Sequence, residues 1–541
     1  MLENCVDWPE ELADKYRSKG YWQDITLYQH FCQLAERFGD LEAIVYQEQR
    51  LTFNQLLSQI DNVAAALFKC GLAAGERVVF QLPNCPEFVV TFYALLKIGV
   101  IPVMALPPHR ETEITHFVNH AEAVAYFFPA KIREFDYRDM AENVRAECPS
   151  LKHLFVLGEA WEGQQSFSDF LNGAAPSSSI EPVPAAEVAI MLLSGGTTAL
   201  PKLIPRTHND YLFNYLQSGI TGGLSDGVTL MAVLPMAHNY TLSSPGFLGT
   251  LAYGGRVVIA PAHDPETIFS LVEQEKVNVI PAAIPLIVNW LNSDIPELFD
   301  LSSLNIITNG GAKLQPELRQ QLEQKFSCTF QEIYGTAEGL LNFTPLDGPD
   351  DIRYNSSGKP LSVDDEIKVI DDDGNELAEG ELGELVVRGP YTIHGYYNAP
   401  ENNASGFTAG GFYKMGDLVR LIDGYLYCEG RSKDLINRGG EKISCDEVEK
   451  HMLANPKIKS ASLVAMPDPV FGEKACAFVI LQPGHSMDLE DLKTYLLAQK
   501  IAKFKLPERL EITDSFPISP AGKILKKELR QIISDKLDAE M

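Results

Sequence analysis

The sequence predicts an α/β fold: a large N-terminal domain of two helix-covered sheets with a β-rich subdomain, followed by a small α+β C-terminal domain. Three observations carry this expectation. Short apolar runs alternate with helical patterns through most of the chain, and from about residue 352 the pattern changes to short strands joined by polar turns. Beyond Gly430-Arg-Ser-Lys-Asp-Leu-Ile436 the chain carries helix and strand signals of its own. The boundaries read from this are 1–432 for the N-terminal domain, about 352–430 for its β-rich subdomain, and 433–541 for the C-terminal domain.

The elements follow in order. Thr52-Phe-Asn-Gln55 is a capping-box pattern, and Leu56, Ile60, Val63, Ala64 and Leu67 recur at helical spacing until Gly71, which predicts a helix over about 52–70. Gly75 introduces an apolar run at 78–82, Pro86 opens a helical pattern to Lys97, and 100–104 is again strand-like. The same strand, helix, strand order recurs at 227–235, 241–252 and 256–260, with a further strand near 277–280. Residues 176–179 read as a short surface loop. Further on, 366–370 and 383–388 flank the turn Asp371-Asp-Asp-Gly374 and read as antiparallel strands. The C-terminal patterns are a helix at 446–453 and strands at 460–465 and 475–481.

Composition narrows the function classes. The 541 residues are 45% hydrophobic and 22% charged, as in a globular protein with a large core. Its 45 basic and 73 acidic residues give a net charge of −28, which disfavours nucleic acid and anionic membrane as partners. Nine cysteines are scattered singly with no C-x-x-C pair, an arrangement suited to reduced thiols in a cytoplasm and not to a zinc site or disulfide framework. The stretch 89–108 is interrupted by Lys97, Gly99 and Pro102, so no membrane span is expected, and the acidic N-terminus does not read as a signal peptide.

The strongest chemical signal is Ser194-Gly-Gly-Thr-Thr-Ala-Leu-Pro-Lys202, directly after the apolar run 188–193. Gly195 and Gly196 let backbone N–H groups approach an anion, the hydroxyls of Ser194, Thr197 and Thr198 can donate to phosphate oxygens, and Lys202 adds positive charge. Such a loop is often only a surface turn, and it does not match G-x-x-x-x-G-K-[ST]. Four further motifs follow in order: Tyr334-Gly-Thr-Ala-Glu338, Tyr413-Lys-Met-Gly-Asp417, Gly430 to Ile436, and Pro517-Ile-Ser-Pro-Ala-Gly-Lys523.

Together these five motifs resemble the adenylate-forming superfamily of acyl-CoA synthetases, luciferases and peptide-synthetase adenylation domains, over nearly the whole chain. Lys202-Leu-Ile-Pro-Arg-Thr-His208 and His238-Asn-Tyr-Thr-Leu-Ser-Ser-Pro-Gly246 resemble, within it, the aryl-acid ligases of siderophore biosynthesis, above all those acting on 2,3-dihydroxybenzoate. The resemblance implies two half-reactions. The aryl carboxylate attacks the α-phosphorus of ATP with loss of pyrophosphate, and the aryl-adenylate then passes to the phosphopantetheine thiol of an aryl carrier protein.

The resemblance also implies residue roles. Glu338 corresponds to the Mg2+ ligand; Tyr334 packs against adenine near Gly310, Gly311 and Ala312; Gly335 and Thr336 complete that motif. Asp417, assisted by Arg431, accepts from the ribose hydroxyls. Lys523 corresponds to the adenylation lysine and Lys433 to the hinge of the C-terminal domain. Asn239 is expected to hydrogen-bond an ortho-hydroxyl of the aryl acid, Tyr240, Ser244, Ala337 and Leu341 to line the pocket, and His238 to gate it or to be structural.

Two positions depart from the pattern. Leu341 stands where dihydroxybenzoate enzymes commonly carry valine and salicylate enzymes often carry leucine, whereas Ser244 agrees with the dihydroxybenzoate type. Ala199 stands where the phosphate loop commonly has glycine. 2,3-Dihydroxybenzoate is favoured over salicylate; an aryl-CoA ligase and a non-catalytic aryl-binding protein are the alternatives. A basic cluster of Lys500, Lys503, Lys505 and Arg509 is a candidate carrier-protein contact.

Overall fold

The structure is a computed structural model and describes residues 2–171, 180–194, 201–311, 313–431, 435–438, 441–468, 472–499, 501, 503–519 and 523–540. The loop expected at 176–179 lies outside them. The chain forms two compact units, one of the residues up to Glu366 together with Val387–Tyr413, the other of Ile367–Val386 and Lys414–Met541.

The first unit contains two large sheets. One has seven strands in the order Leu203–Thr207, Val188–Leu193, Ile101–Met104, Arg77–Phe80, Ala125–Pro129, His153–Leu157, Gln165–Ser166. All neighbours are parallel except the first pair, which is antiparallel. Leu203–Thr207 is therefore an edge strand, where Pro205 can lie without breaking a ladder on both sides. The other sheet has nine strands, with a parallel centre running from Glu42–Tyr46 through Arg256–Ile259, Thr229–Ala232, Val279–Ala282 and Ile306–Gly310 to Thr329–Thr336. Antiparallel strands close both edges, Gln49–Thr52 on one side and Gly339–Phe343 with Lys359–Pro360 on the other. Helices supply the crossovers that parallel strands require.

Local signals in the sequence account for the elements that frame these sheets. The helix Phe53–Lys69 starts where Thr52 Oγ1 accepts from Gln55 N–H and Gln55 Oε1 accepts from Thr52 N–H, and Leu56, Ile60, Val63, Ala64 and Leu67 are all buried. Pro86 opens the helix Pro86–Lys97 at its first position. One expectation is corrected: the single helix over 241–252 is two, Asn239–Ser243 and Gly246–Ala252. Pro245 has no N–H to continue the first helix, and Ser244 before it leaves the helical region, with φ −124° and ψ 65°. Gly246 then turns the chain at φ +57°, where a Cβ would run into the Thr241 carbonyl.

The second unit holds most of a four-stranded sheet, Glu366–Ile370, Gly383–Arg388, Tyr413–Ile422 and Tyr425–Arg431, and a five-stranded sheet centred on Gly472–Leu481. The expected turn is present: Gly374 N–H donates to the Asp371 carbonyl at 3.1 Å, and Asp373 N–H donates to the Asp371 side chain at 2.9 Å. Helices Cys445–Leu453 and Leu489–Ala498 bury Val448, Met452 and Leu492 against Leu463 and Val479, and the helix Lys526–Glu540 packs Leu529 and Ile533 against Val464 and Phe478. Among the described residues no helix is long and apolar enough to cross a membrane.

Candidate active site

The phosphate-loop motif sits between two paired strands. Leu193 is in register with Leu203, Ser194 N–H donates to the Lys202 carbonyl at 3.0 Å, and Lys202 N–H donates to Ser194 Oγ at 2.9 Å. Gly195, Gly196, Thr197, Thr198 and Ala199 lie outside the described residues. The Lys202 ammonium stands 4.0 Å from the centre of the Tyr396 ring.

Tyr396 also reaches the second motif. Its hydroxyl donates to Glu338 Oε1 at 2.9 Å and lies 3.3 Å from the Tyr413 hydroxyl. Burial, then the adjacent Glu338 charge, pushes the Tyr396 phenol well above its ordinary value, so it stays a donor. Glu338 is buried, and its other oxygen, Oε2, makes no hydrogen bond to a described residue. The turn that carries it joins Thr329–Thr336 to Gly339–Phe343, with Thr336 Oγ1 donating to the Gly339 carbonyl at 2.9 Å. Gly339 has φ +134°, and a Cβ there would collide with the backbone of Thr392. This close approach lets Ile393 N–H donate to the Glu338 carbonyl at 2.8 Å.

Tyr334 and Gly335 lie half-buried on the strand before that turn, one strand away from Gly310. Beneath Gly310 and Gly311, Glu332 accepts from Asn309 Nδ2 at 2.8 Å and pairs with the buried Arg319 at 2.8 Å. Burial raises the Glu332 carboxyl to about 7 against the opposing pull of Arg319. Ala312 lies outside the described residues.

Of the expected aryl-pocket residues, Tyr240 and Leu341 meet across neighbouring elements. Tyr240 and Leu341 share one apolar cluster with Phe213, Ile333, Phe343 and Tyr391. The Tyr240 hydroxyl is 2.5 Å from Thr308 Oγ1, and its ring lies where a Cβ on Gly310 would be 3.2 Å away. Asn239 and Ser244 are buried, and Ser244 Oγ donates to the Asn239 carbonyl at 3.4 Å. Asn239 Oδ1 accepts from the Tyr211 hydroxyl at 2.8 Å and from Ser243 Oγ at 3.1 Å. His238 is exposed; its Nδ1 accepts from Tyr240 N–H at 3.3 Å, which caps the helix Asn239–Ser243.

Sequence reading missed what holds these residues in place. Arg206, fully buried, donates from Nε to Asp210 at 2.7 Å, from Nη1 to the Ala337 carbonyl at 2.9 Å, and from Nη2 to the Tyr391 carbonyl at 3.1 Å. One guanidinium thus ties the edge strand to the turn before Glu338 and to the wall at Tyr391. Tyr391 in turn donates to Asp365 Oδ2 at 2.9 Å and accepts from Leu341 N–H at 3.0 Å. The capping pattern Thr207-x-x-Asp210 could have exposed Asp210; no sequence signal marks Arg206 as buried.

The remaining expected residues belong to the second unit. Asp417 is buried on the strand Tyr413–Ile422 and is in register with Arg431, whose side chain lies outside the description, as does Lys433. Lys523 is bonded to Ser519 on both sides of its backbone: Ile518 pairs with Ile524, Ser519 N–H donates to the Lys523 carbonyl at 2.7 Å, and Lys523 N–H donates to Ser519 Oγ at 3.1 Å. The helix that follows is moored by Lys526, 2.9 Å from Glu449, whose carboxyl burial raises to about 7. Of the basic cluster, Lys505 is spent on Glu447 at 2.6 Å and Arg509 on Glu511 and Glu540 at 2.7 Å, while Lys503 is exposed and Lys500 lies outside the description.

Comparison with known proteins agrees with this arrangement. Residues 31–397 match the AMP-binding enzyme family, and residues 447–523 match the AMP-binding enzyme C-terminal domain. The chain is 44% identical over 538 residues to the 2,3-dihydroxybenzoate-AMP ligase of Bacillus subtilis (strain 168), covering 99% of each. It is 42% identical over 539 residues to pyochelin synthase PchD of Pseudomonas aeruginosa (strain UCBPP-PA14), covering 99% of this chain and 98% of PchD. Among solved structures, apo MbtA of Mycobacterium smegmatis superposes with a TM-score of 0.75 at 36% identity, covering 98% of both chains. The chain belongs to the AMP-binding enzyme family.

Proposed function

We propose that this enzyme activates 2,3-dihydroxybenzoate with ATP, forming aryl-AMP and pyrophosphate, and passes the aryl group to the phosphopantetheine thiol of an aryl carrier protein in siderophore biosynthesis. Its place of action is the cytoplasm. The observation that carries this reading is the buried Asn239 carboxamide beside the Tyr240 and Leu341 cluster, in a chain similar from end to end to a protein named for that reaction. A hydrogen-bonding amide beside an apolar cluster suits an ortho-hydroxylated ring and penalises benzoates that leave the amide unpaired.

The residues divide the work. Ser194, Gly195, Gly196, Thr197, Thr198 and Lys202 hold the ATP phosphates. Tyr334, Gly310, Gly311 and Ala312 receive the adenine, with Gly335 and Thr336 shaping that wall, and Asp417 with Arg431 takes the ribose. Lys523 contacts both the attacking carboxylate and the α-phosphate, so that its ammonium fixes the geometry of attack and offsets charge on the phosphate oxygens. Lys433 is the hinge about which the C-terminal part reorients between half-reactions, and His238 gates the pocket.

Glu338 fits Mg2+: a buried carboxylate with one oxygen steadied by Tyr396 keeps its second, hard oxygen available for a cation. Bound there, Mg2+ would screen phosphate charge.

Incubation with 2,3-dihydroxybenzoate, ATP and Mg2+, followed by chromatography, tests the reading. Aryl-AMP should accumulate without an acceptor and disappear when a phosphopantetheinylated carrier protein is added. Equal consumption by free coenzyme A would assign the acceptor to coenzyme A instead.

A further inference from the structure

We propose that Tyr211, Asn214 and Ser243 form a polarity-setting chain that holds the Asn239 amide with its N–H toward the substrate, making the site selective for an ortho oxygen over an ortho amino group. The proposal rests on the reading of Asn239 as the residue that meets the ortho substituent.

The direction of the chain is set at its far end. Asn214 Nδ2 is 2.9 Å from the Ser243 carbonyl, which can only accept, and Asn214 Oδ1 is 3.5 Å from Arg206 Nη2, which can only donate. Both contacts require the same orientation of the Asn214 amide. Its Nδ2 also reaches Ser243 Oγ at 3.2 Å, so that hydroxyl oxygen is an acceptor and its hydrogen must point elsewhere. Asn239 Oδ1 lies 3.1 Å away to receive it.

A second donor converges on the same oxygen. The Tyr211 hydroxyl is 2.8 Å from Asn239 Oδ1, and its ring lies 4.8 Å from the Arg206 guanidinium. Tyr211 is fully buried, and burial pushes its phenol well above its ordinary value, so it keeps the proton it donates. A flipped Asn239 amide would aim N–H at a Ser243 oxygen already engaged by Asn214. It would leave the serine hydrogen the 3.4 Å contact to the Asn239 carbonyl and a weaker approach to the Tyr211 hydroxyl, and take from the Tyr211 hydrogen its acceptor at 2.8 Å. Buried donors without acceptors are costly, so the amide is held with Oδ1 inward and Nδ2 facing the substrate.

The consequence for substrate follows from ortho chemistry. A 2-hydroxybenzoate donates its phenolic hydrogen to its own carboxylate and presents a lone pair outward, which an N–H can meet. A 2-aminobenzoate of nearly the same shape uses one N–H in the same way and points the other outward, donor against donor.

The test is the ratio of kcat/KM for 2-hydroxybenzoate over 2-aminobenzoate, measured by ATP–pyrophosphate exchange in the wild type, Tyr211→Phe, Ser243→Ala and the double variant. The wild type should favour the hydroxy acid by about 100-fold or more. The double variant frees the amide to turn, so the ratio should narrow by about tenfold or more. A purely structural role would lower both substrates together and leave the ratio in place. An unchanged ratio with exchange on 2-hydroxybenzoate intact, or a wild type that prefers 2-aminobenzoate, would overturn the proposal. If the double variant does not fold, Tyr211→Phe alone decides the ratio. Failure of the underlying aryl reading would be recognised separately: the wild type would exchange with no benzoate at all, and both claims would fall.

Discussion

The Tyr396 hydroxyl donates to Glu338 Oε1 at 2.9 Å, and the same ring carries the Lys202 ammonium 4.0 Å from its centre. One aromatic side chain therefore touches the end of the phosphate-loop motif and the carboxylate of the Tyr334 to Glu338 motif. Tyr396 was not singled out in the sequence, because an aromatic residue outside a motif gives no sign of which two polar groups it will join.

Tyr396→Phe tests this coupling. The ring beside Lys202 is kept, and the hydroxyl's 2.9 Å bond to the buried carboxylate is lost together with its 3.3 Å contact to the Tyr413 hydroxyl. Hydrogen bonds to charged groups contribute about 1.5–3 kcal/mol, so kcat/KM for ATP with Mg2+ should fall by about 10- to 100-fold while the melting temperature changes little. An unchanged kcat/KM would separate Tyr396 from the function of Glu338.

The buried pair Arg206 and Asp210 predicts an asymmetry in stability. Arg206→Ala leaves the Asp210 carboxylate without its guanidinium and two carbonyls without their donor, which should cost about 3–5 kcal/mol in urea unfolding. Replacing both residues with Arg206→Met and Asp210→Leu removes the orphaned charge and should recover part of that loss. A double variant less stable than Arg206→Ala would contradict this account.

Asp365 predicts a pH dependence. It is half-buried with no cationic partner among the described residues, and desolvation raises its carboxyl from 3.8 to about 7, although Ser362 N–H and the Tyr391 hydroxyl both donate to it. The folded state therefore holds the proton more tightly than the unfolded chain. Its contribution is fully present below about pH 4 and is lost as pH rises through 7, a change on the order of 4 kcal/mol. Asp365→Asn keeps both acceptor bonds and should flatten this part of the stability profile between pH 4 and 7. Parallel profiles for the two proteins would show that Asp365 does not titrate there.

Lys523→Ala should separate the half-reactions. Adenylate formation should fall by about 100-fold or more, because the ammonium proposed to hold carboxylate and phosphate together is gone. Thioester formation from preformed aryl-adenylate should continue. Equal adenylate yields in variant and wild type would remove Lys523 from the chemistry.

Much of the fold was legible because its signals are local. The Thr52 to Gln55 capping box, Pro86 at a helix start and the apolar runs near 78–82 and 100–104 each reappear as the expected element, at Phe53–Lys69, Pro86–Lys97, Arg77–Phe80 and Ile101–Met104. The helix over 241–252 was misread as continuous because apolar content was weighed above Pro245, whose missing N–H ends the first segment. In the site, Asn239, Tyr240, Ser244, Ala337 and Leu341 were nominated through motif resemblance; Tyr240 and Leu341 share one apolar cluster, and Asn239 and Ser244 are buried beside Tyr240 in the chain. Arg206, Tyr211, Asn214 and Ser243 were not, since their importance lies in burial and hydrogen-bond direction between distant segments, which periodicity does not encode.

The most direct test of the central claim is ATP–pyrophosphate exchange with Mg2+ across 2,3-dihydroxybenzoate, salicylate, benzoate and a fatty acid. The account predicts the highest kcat/KM with 2,3-dihydroxybenzoate, a lower value with salicylate, and little exchange with benzoate or the fatty acid. Exchange that is fastest with the fatty acid, or absent with every aryl acid, would contradict it.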